Sequence, residues 1–287
     1  MIPAAFEYTK PSTVDEAVQA LADGGEDAKV LAGGQSLIPM LRLRLAAPTL
    51  LVDLGGLGEL RGVRDDGDAL VIGAMTRYAD LLRDPLVRDH APLLAQATAT
   101  VADRQVRHLG TIGGSLAEAD PAGDLPSVAV ALDVSFEVVG PDGWRTISAA
   151  DFFVDFLTTA LGDGEMLAAL RVPKQDGWGT HYEKFNRVAQ AWSIVGVAVA
   201  VRRENGTIAE ARVGLTNMGN RPVRARAVEE ALTGAPATVD AVSSAAARAA
   251  EGADPPADVW ASAEYRSHLA TVLTRRAVVA AGGIHAS

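Results

Sequence analysis

Two short segments constrain this chain more than anything else in it: LAGGQSL, Leu31 to Leu37, and TIGGSL, Thr111 to Leu116. Each sets a Gly-Gly pair with a serine one or two residues after it. In the first, Gly33-Gly34 ends a short apolar run and precedes a helical pattern. Glycines without Cβ atoms let the backbone turn sharply and let a ligand approach its N–H groups. Such donors, with a helix N-terminus behind them, suit a phosphate, and Ser36 adds a hydroxyl. Gly113-Gly114-Ser115, preceded by Thr111, carries the same equipment again. A pyrophosphate has two phosphoryl groups, which two turns can grip from two sides. One Gly-Gly pair alone is ordinarily only a turn. Neither segment matches G-x-G-x-x-G or G-x-x-x-x-G-K-[ST], so neither a Rossmann site nor a P-loop is supported.

The surrounding pattern mixes strands and helices. STVDEAVQALADG reads as a helix with Ser12 as N-cap and Gly24 near its stop. AKVLAGG reads as a buried strand ending in a turn, LLVDLGG as another, and together they give a βαβ-like unit. ALVIGA is a further strand, TRYADLLRD a capped helix, and APLLAQATATVA a helix with Pro92 in its first turn. DLPSVAVALD reads as a short helix. VSFEVVGPDGWRTIS reads as a hairpin around Gly140 to Gly143, and MLAALRVP as a strand stopped at Pro173. PKQDGWGT, Pro173 to Thr180, is polar and turn-rich and places a domain boundary. Beyond it HYEKFNR, SIVGVAVAVRR and IAEARVGLTN suggest three antiparallel strands, the last two joined at ENG. PVRARAVEEALTG, TVDAVSSAAARAAEG and YRSHLATVLTRRAVVAAG read as helices.

Composition excludes several functions. The 287 residues carry a net charge of -10, which argues against a sequence-independent nucleic-acid binder. There are no cysteines, so no thiolate can hold zinc or an iron–sulfur cluster, and none can act as nucleophile. The five histidines, His90, His108, His181, His268 and His285, show no H-E-x-x-H spacing and read as surface residues. No metal ligands are assigned. Glu118, Asp120 and Asp124 share one segment with Pro121 and read as a solvated loop. The N-terminus lacks the pattern of a secretory signal. The longest apolar run, WSIVGVAVAV, is too short to span a bilayer.

VLAGGQSLIPMLRLRL, RHLGTIGGSLAEADPAGDLP and YEKFNRVAQAWSIVGVAVAV together resemble the flavin-binding medium subunit of molybdenum hydroxylases. The aerobic carbon monoxide dehydrogenase branch is the nearest. The likeness runs from about Phe6 to the last helix, and A-G-G-Q-S followed by T-I-G-G-S is its specific part. It implies an α+β fold: a two-lobed flavin domain of the vanillyl-alcohol oxidase type over residues 1–177, its lobes parting near 55. A small C-terminal domain over 178–287 would hold a three-stranded antiparallel sheet and a helical bundle. By the same resemblance the first FAD motif is Lys29, Val30, Leu31, Ala32, Gly33, Gly34, Gln35 and Ser36. The second is Thr111, Ile112, Gly113, Gly114 and Ser115, and the two would hold the pyrophosphate. Asp124 matches an aspartate that bonds the cofactor, and Lys184 a lysine near the flavin ring. Val101 and Leu170 match positions packed against the cofactor. Trp192 stands where relatives carry an aromatic over the ring; a core tryptophan is the competing reading. Relatives often carry an acid just before it, where this chain has Ala191.

The resemblance also implies a division of labour. A large subunit with a molybdenum cofactor would oxidise CO with water to CO2. A small subunit with two [2Fe–2S] clusters would pass the electrons to FAD here, and a quinone or other acceptor would remove them. The expected assembly is a dimer of heterotrimers, cytoplasmic, docked peripherally at the inner membrane face. No residue of this chain is assigned a catalytic role, because the substrate chemistry belongs to the large subunit. Alternatives are the same subunit in a xanthine, N-heterocycle or aldehyde dehydrogenase, a free-standing flavin oxidase, or an assembly module that has lost FAD.

Overall fold

The computed structural model describes residues 2–285. The fold is α+β, and its first lobe is a parallel sheet. It contains β1 (Glu7–Thr9), α1 (Val14–Gly24), β2 (Ala28–Leu31), α2 (Leu37–Leu43) and β3 (Leu50–Asp53), with strand order β1-β3-β2. Helix α1 buries Val14, Ala17, Val18 and Leu21, the single face that helical periodicity provides. Its cap is Thr13, not Ser12: the Thr13 hydroxyl accepts from the Glu16 N–H at 3.2 Å. The Ser12 hydroxyl is already committed to the Glu16 carboxylate at 2.7 Å. Strand β2 lies at a sheet edge, so only Ala28 of its residues is buried.

The second lobe follows with β4 (Val63–Asp66), β5 (Ala69–Gly73), α3 (Tyr78–Leu81), α4 (Pro85–His90), α5 (Pro92–Thr100) and α6 (Arg104–Leu109). It continues through α7 (Ile112–Glu118), α8 (Asp124–Ala131), β6 (Ser135–Gly140), β7 (Gly143–Ser148), α9 (Ala149–Phe152), β8 (Phe153–Asp155), β9 (Thr158–Thr159) and β10 (Met166–Pro173). Its antiparallel sheet has order β4-β5-β10-β6-β7. Helix α3 is one turn with no side-chain cap, because its N-cap residue is Arg77, whose side chain carries donors and no acceptor. The core of this lobe is built on Phe136, Phe152, Leu125 and Ile112.

The C-terminal part comprises β11 (Gly179–Phe185), β12 (Val195–Glu204), β13 (Thr207–Thr216), β14 (Val223–Arg224), α10 (Arg226–Leu232), α11 (Val239–Ala246) and α12 (Ala263–Gly282). The sheet is antiparallel, β11-β12-β13-β14: the three long strands expected, plus a two-residue fourth. The apolar run of the sequence is β12, covered on both faces. Val195, Val197, Val199 and Val201 face the helices α10 to α12, whereas Ala198 and Ala200 belong to the core of the second lobe. That small-residue face lets α8 lie directly on the sheet. It also fixes the position of Asp124, the first residue of α8.

Candidate functional site

A cleft of about 270 Å³ lies where the first lobe, the second lobe and the start of the C-terminal sheet meet. Its first wall is the Gly33–Leu37 turn. Gly34 has φ +71, a backbone state that favours glycine. The Gln35 side chain braces the turn by donating to the Gly33 carbonyl at 3.0 Å. Among the described residues, no acceptor partners the N–H groups of Gly33, Gly34, Gln35, Ser36 or Leu37. Five consecutive backbone donors thus line one wall with no protein partner, an arrangement suited to an anion.

The second wall is the start of α7, and it is not equivalent to the first. Ile112 N–H donates to the Thr76 carbonyl at 3.0 Å and Gly113 N–H to the Ala74 carbonyl at 2.8 Å. Gly114 N–H donates to the Thr111 hydroxyl at 3.2 Å, and Ser115 N–H to the Thr111 carbonyl at 3.2 Å. The first two donors tie α7 to the segment just after β5 and the other two close on Thr111 itself, so what this wall offers the cleft is the Thr111 and Ser115 hydroxyls and the bare Cα of Gly114. The expectation of matching equipment at both turns is corrected accordingly. The turns do touch: a Cβ on Gly33 would lie 2.8 Å from the Gly110 Cα.

The floor carries a buried polar cluster. Asp124 is 5% exposed, so the expected solvated loop is corrected. Its Oδ1 accepts from the Tyr182 and Ser193 hydroxyls, each at 2.7 Å. Its Oδ2 accepts from Lys184 Nζ at 2.7 Å, and Lys184 also donates to the Thr100 carbonyl at 3.2 Å. Thr216 extends the network from β13 to the Ser127 hydroxyl at 2.6 Å. Burial, with the Asp124 charge behind it, pushes the Tyr182 phenol well above its ordinary range. Burial likewise raises Tyr78, to about 12, despite a hydrogen bond from Ser115. Burial also raises the carboxyls of Glu118 and Asp120, and in Glu118 the Asp120 charge adds to it. The cleft is therefore acidic at one end, with Lys184 paired rather than free.

The structure brings together Val30, Ala32, Gly33, Gly34, Gln35, Ser36, Val101, Thr111, Gly114, Ser115, Asp124, Lys184 and Trp192 around this cleft. Lys29, Leu31, Ile112, Gly113 and Leu170 do not line it. Leu170 is 1% exposed in the central strand β10, and Gly113 packs against Ala74. Trp192 is 60% exposed at the rim, so it is not a core side chain. Sequence reading missed Tyr78, Gly110 and Gln190 and gave Glu118 no role. Glu118 lies four residues after Gly114, on the same helical face, and that spacing was the available signal.

Comparisons with known proteins cover nearly the whole chain. Residues 4–175 match the family described as FAD binding domain in molybdopterin dehydrogenase. Residues 180–281 match the family described as CO dehydrogenase flavoprotein C-terminal domain. The chain is 41% identical to the carbon monoxide dehydrogenase medium chain of Hydrogenophaga pseudoflava, over 98% of each chain. It is 36% identical to the glyceraldehyde dehydrogenase medium chain of Sulfolobus acidocaldarius, over 96% of this chain and 98% of that one. Among solved structures it superposes on a chain of carbon monoxide dehydrogenase from Hydrogenophaga pseudoflava with a TM-score of 0.96. That chain is 43% identical, and 99% of each is covered.

Proposed function

This chain belongs to the FAD-binding subunit family of molybdopterin dehydrogenases, and from that premise we propose that it is the medium subunit of a carbon monoxide dehydrogenase. Its place there is to hold FAD between the partner that delivers electrons and the acceptor that removes them. One observation carries the assignment of the cleft: five unpartnered N–H groups from Gly33 to Leu37, facing the Thr111 and Ser115 hydroxyls. A pyrophosphate fits that donor set without needing a cation, and the cleft has no unpaired one among the described residues. The cleft alone is at the low end for a ligand site. A hollow of about 630 Å³ adjoins it at Asp120, Ala191 and Trp192, which gives room for the rest of a dinucleotide.

The first turn and Thr111 with Ser115 would hold the pyrophosphate. Asp124 and Lys184 would orient the flavin end, and Trp192 would border the ring. Bound FAD supplies a junction that takes electrons singly and releases them in pairs. The chain's own residues bind and position it; they move no substrate atoms. Oxidation of CO and water to CO2, two protons and two electrons would take place on the large molybdenum subunit. The small subunit's two [2Fe–2S] clusters would carry the electrons here, and a quinone would remove them.

The same reading divides the chain into a flavin domain, residues 1–177, with lobes parting near 55, and a C-terminal domain, 178–287. It places the complex in the cytoplasm as a dimer of heterotrimers at the inner membrane face. No helix of the described residues is long and apolar enough to cross a membrane. The glyceraldehyde relative supports a second reading, an aldehyde-oxidising complex, because the substrate contacts lie outside this chain. Purification with the neighbouring subunits tests both. One FAD per chain, with CO-dependent dye reduction, is the expected result. Aldehyde oxidation without CO oxidation selects the second reading, and a preparation that takes up no flavin overturns both.

A further inference from the structure

Between α5 and α6 the chain runs along the cleft through Val101, Ala102 and Asp103, and this turn is held from behind. Arg107, in the first turn of α6, reaches back toward the helix start, as helical side chains do. Its Nη1 donates to the Val101 carbonyl at 2.6 Å and to the Ala102 carbonyl at 3.1 Å. Lys184 holds the preceding carbonyl, that of Thr100, at 3.2 Å. Three successive carbonyls thus face two cations. Ala102 has φ +42, a left-handed state that alanine takes only where its surroundings enforce it. In a trans peptide the C=O and the N–H that follows it point in opposite directions, and no peptide bond of the turn is cis. Carbonyls that converge on one Arg107 nitrogen therefore turn the Ala102 and Asp103 N–H groups away from it. Among the described residues neither N–H has an acceptor. Val101 and Ala102 line the cleft, whereas Arg107 does not. The two free donors accordingly lie on the cleft side of the turn, next to the Lys184–Asp124 pair.

We propose that Arg107 is a positioning residue for the flavin: its clamp fixes the left-handed turn so that the Ala102 and Asp103 N–H groups donate to the carbonyl edge of the isoalloxazine. The inference rests on the reading of the cleft as the FAD site. The Arg107 side chain bonds backbone alone and acts through it. Donors at that edge stabilise the electron-rich reduced ring more than the oxidised one, so the clamp raises the potential at which this chain holds electrons.

The full-length chain is titrated with FAD, and the potential of the bound flavin is measured against redox dyes. Arg107→Met is expected to bind oxidised FAD at least tenfold more weakly. Reduced FAD should lose a further factor of about ten, which lowers the midpoint potential by about 30 mV for a two-electron couple. Arg107→Lys, which keeps the charge but not the planar fork, is expected to fall between. Adding Ala102→Gly to Arg107→Met is expected to recover most of the lost affinity, because glycine takes a positive φ without strain. Wild-type affinity and potential in Arg107→Met overturn the proposal. So does a loss of affinity that leaves the potential unmoved, or one that Ala102→Gly does not relieve, since Arg107 would then serve overall stability or touch FAD directly. If Arg107→Met does not fold, Arg107→Lys with and without Ala102→Gly decides the same question. Failure of the wild-type chain to take up FAD overturns the underlying reading instead.

Discussion

Gly33 and Gly114 face one cleft but answer to different constraints. A Cβ on Gly33 would press on the Leu109–Gly110 backbone, which cannot swing aside. Overpacking of that kind costs roughly 1–3 kcal/mol, and here it would part the two turns. A Cβ on Gly114 would meet only the Thr111 hydroxyl at 2.8 Å and the Ala32 Cβ at 3.5 Å. Its main cost is a disturbed cap, about 1 kcal/mol. Gly33→Ala should therefore lower the urea midpoint clearly and abolish FAD uptake. Gly114→Ala should fold nearly as well but bind FAD at least tenfold more weakly, because its methyl enters the cleft. Equal FAD affinity in Gly114→Ala and wild type would remove that wall from the site. The Asp124–Lys184 pair makes a second residue-level test, since both side chains are nearly fully buried. Asp124→Asn leaves a buried ammonium uncompensated, a loss of about 3–5 kcal/mol. Adding Lys184→Met removes that orphan charge, so the double variant should be more stable than Asp124→Asn alone. Additive losses in chemical denaturation would show that the pair is not coupled.

At the scale of elements, the site depends on how α8 sits on the C-terminal sheet. Gly214 of β13 lies opposite Ala198 of β12, and a Cβ on it would run into the Ser127 carbonyl of α8. Asp124 is on the same helix, three residues before Ser127, so displacement of α8 reaches the floor of the cleft. Gly214→Ala is expected to destabilise the protein by about 1–3 kcal/mol and to weaken FAD binding, although it lies outside the cleft. Thermal melting with and without added FAD measures both effects; a destabilised variant with unchanged FAD affinity would uncouple sheet from site. The elements themselves were largely legible in the sequence. Helix α1 shows its periodicity, the β6–β7 hairpin its turn, and β12 its unbroken apolar run. The adjustments came where two local choices were nearly equal, as between Ser12 and Thr13, or where an exposed edge strand resembled a buried one, as with β2. The Gly33–Leu37 turn was readable because its donors and glycines are contiguous. The environment of Asp124 was not, because Tyr182 and Ser193 lie 58 and 69 residues away and only the fold brings them in. The same holds for α7, whose N–H groups are spent on Ala74 and Thr76, partners that no local pattern announces.

For the whole molecule, the absence of cysteine decides where any cysteine-held iron–sulfur cluster must sit. A chain with no thiolates cannot ligate a cysteine-held iron–sulfur cluster, so electrons reaching its flavin by that route must start in another subunit. The buried cluster around Asp124 and the donors of the first turn can bind and orient a cofactor, but nothing in the proposed role requires them to act on CO. The isolated chain and the assembled complex should then behave differently toward the same reductants. Reconstituted alone, the chain should hold one FAD and no iron, and dithionite should bleach its flavin while CO leaves it oxidised. Addition of the iron–sulfur and molybdenum subunits should make the same flavin bleach under CO. Rapid-scan absorbance at the flavin band, beside iron analysis of each preparation, reads both halves of the test. Bleaching by CO in the isolated chain, or iron bound to it, would show that this chain does more than receive electrons and pass them on.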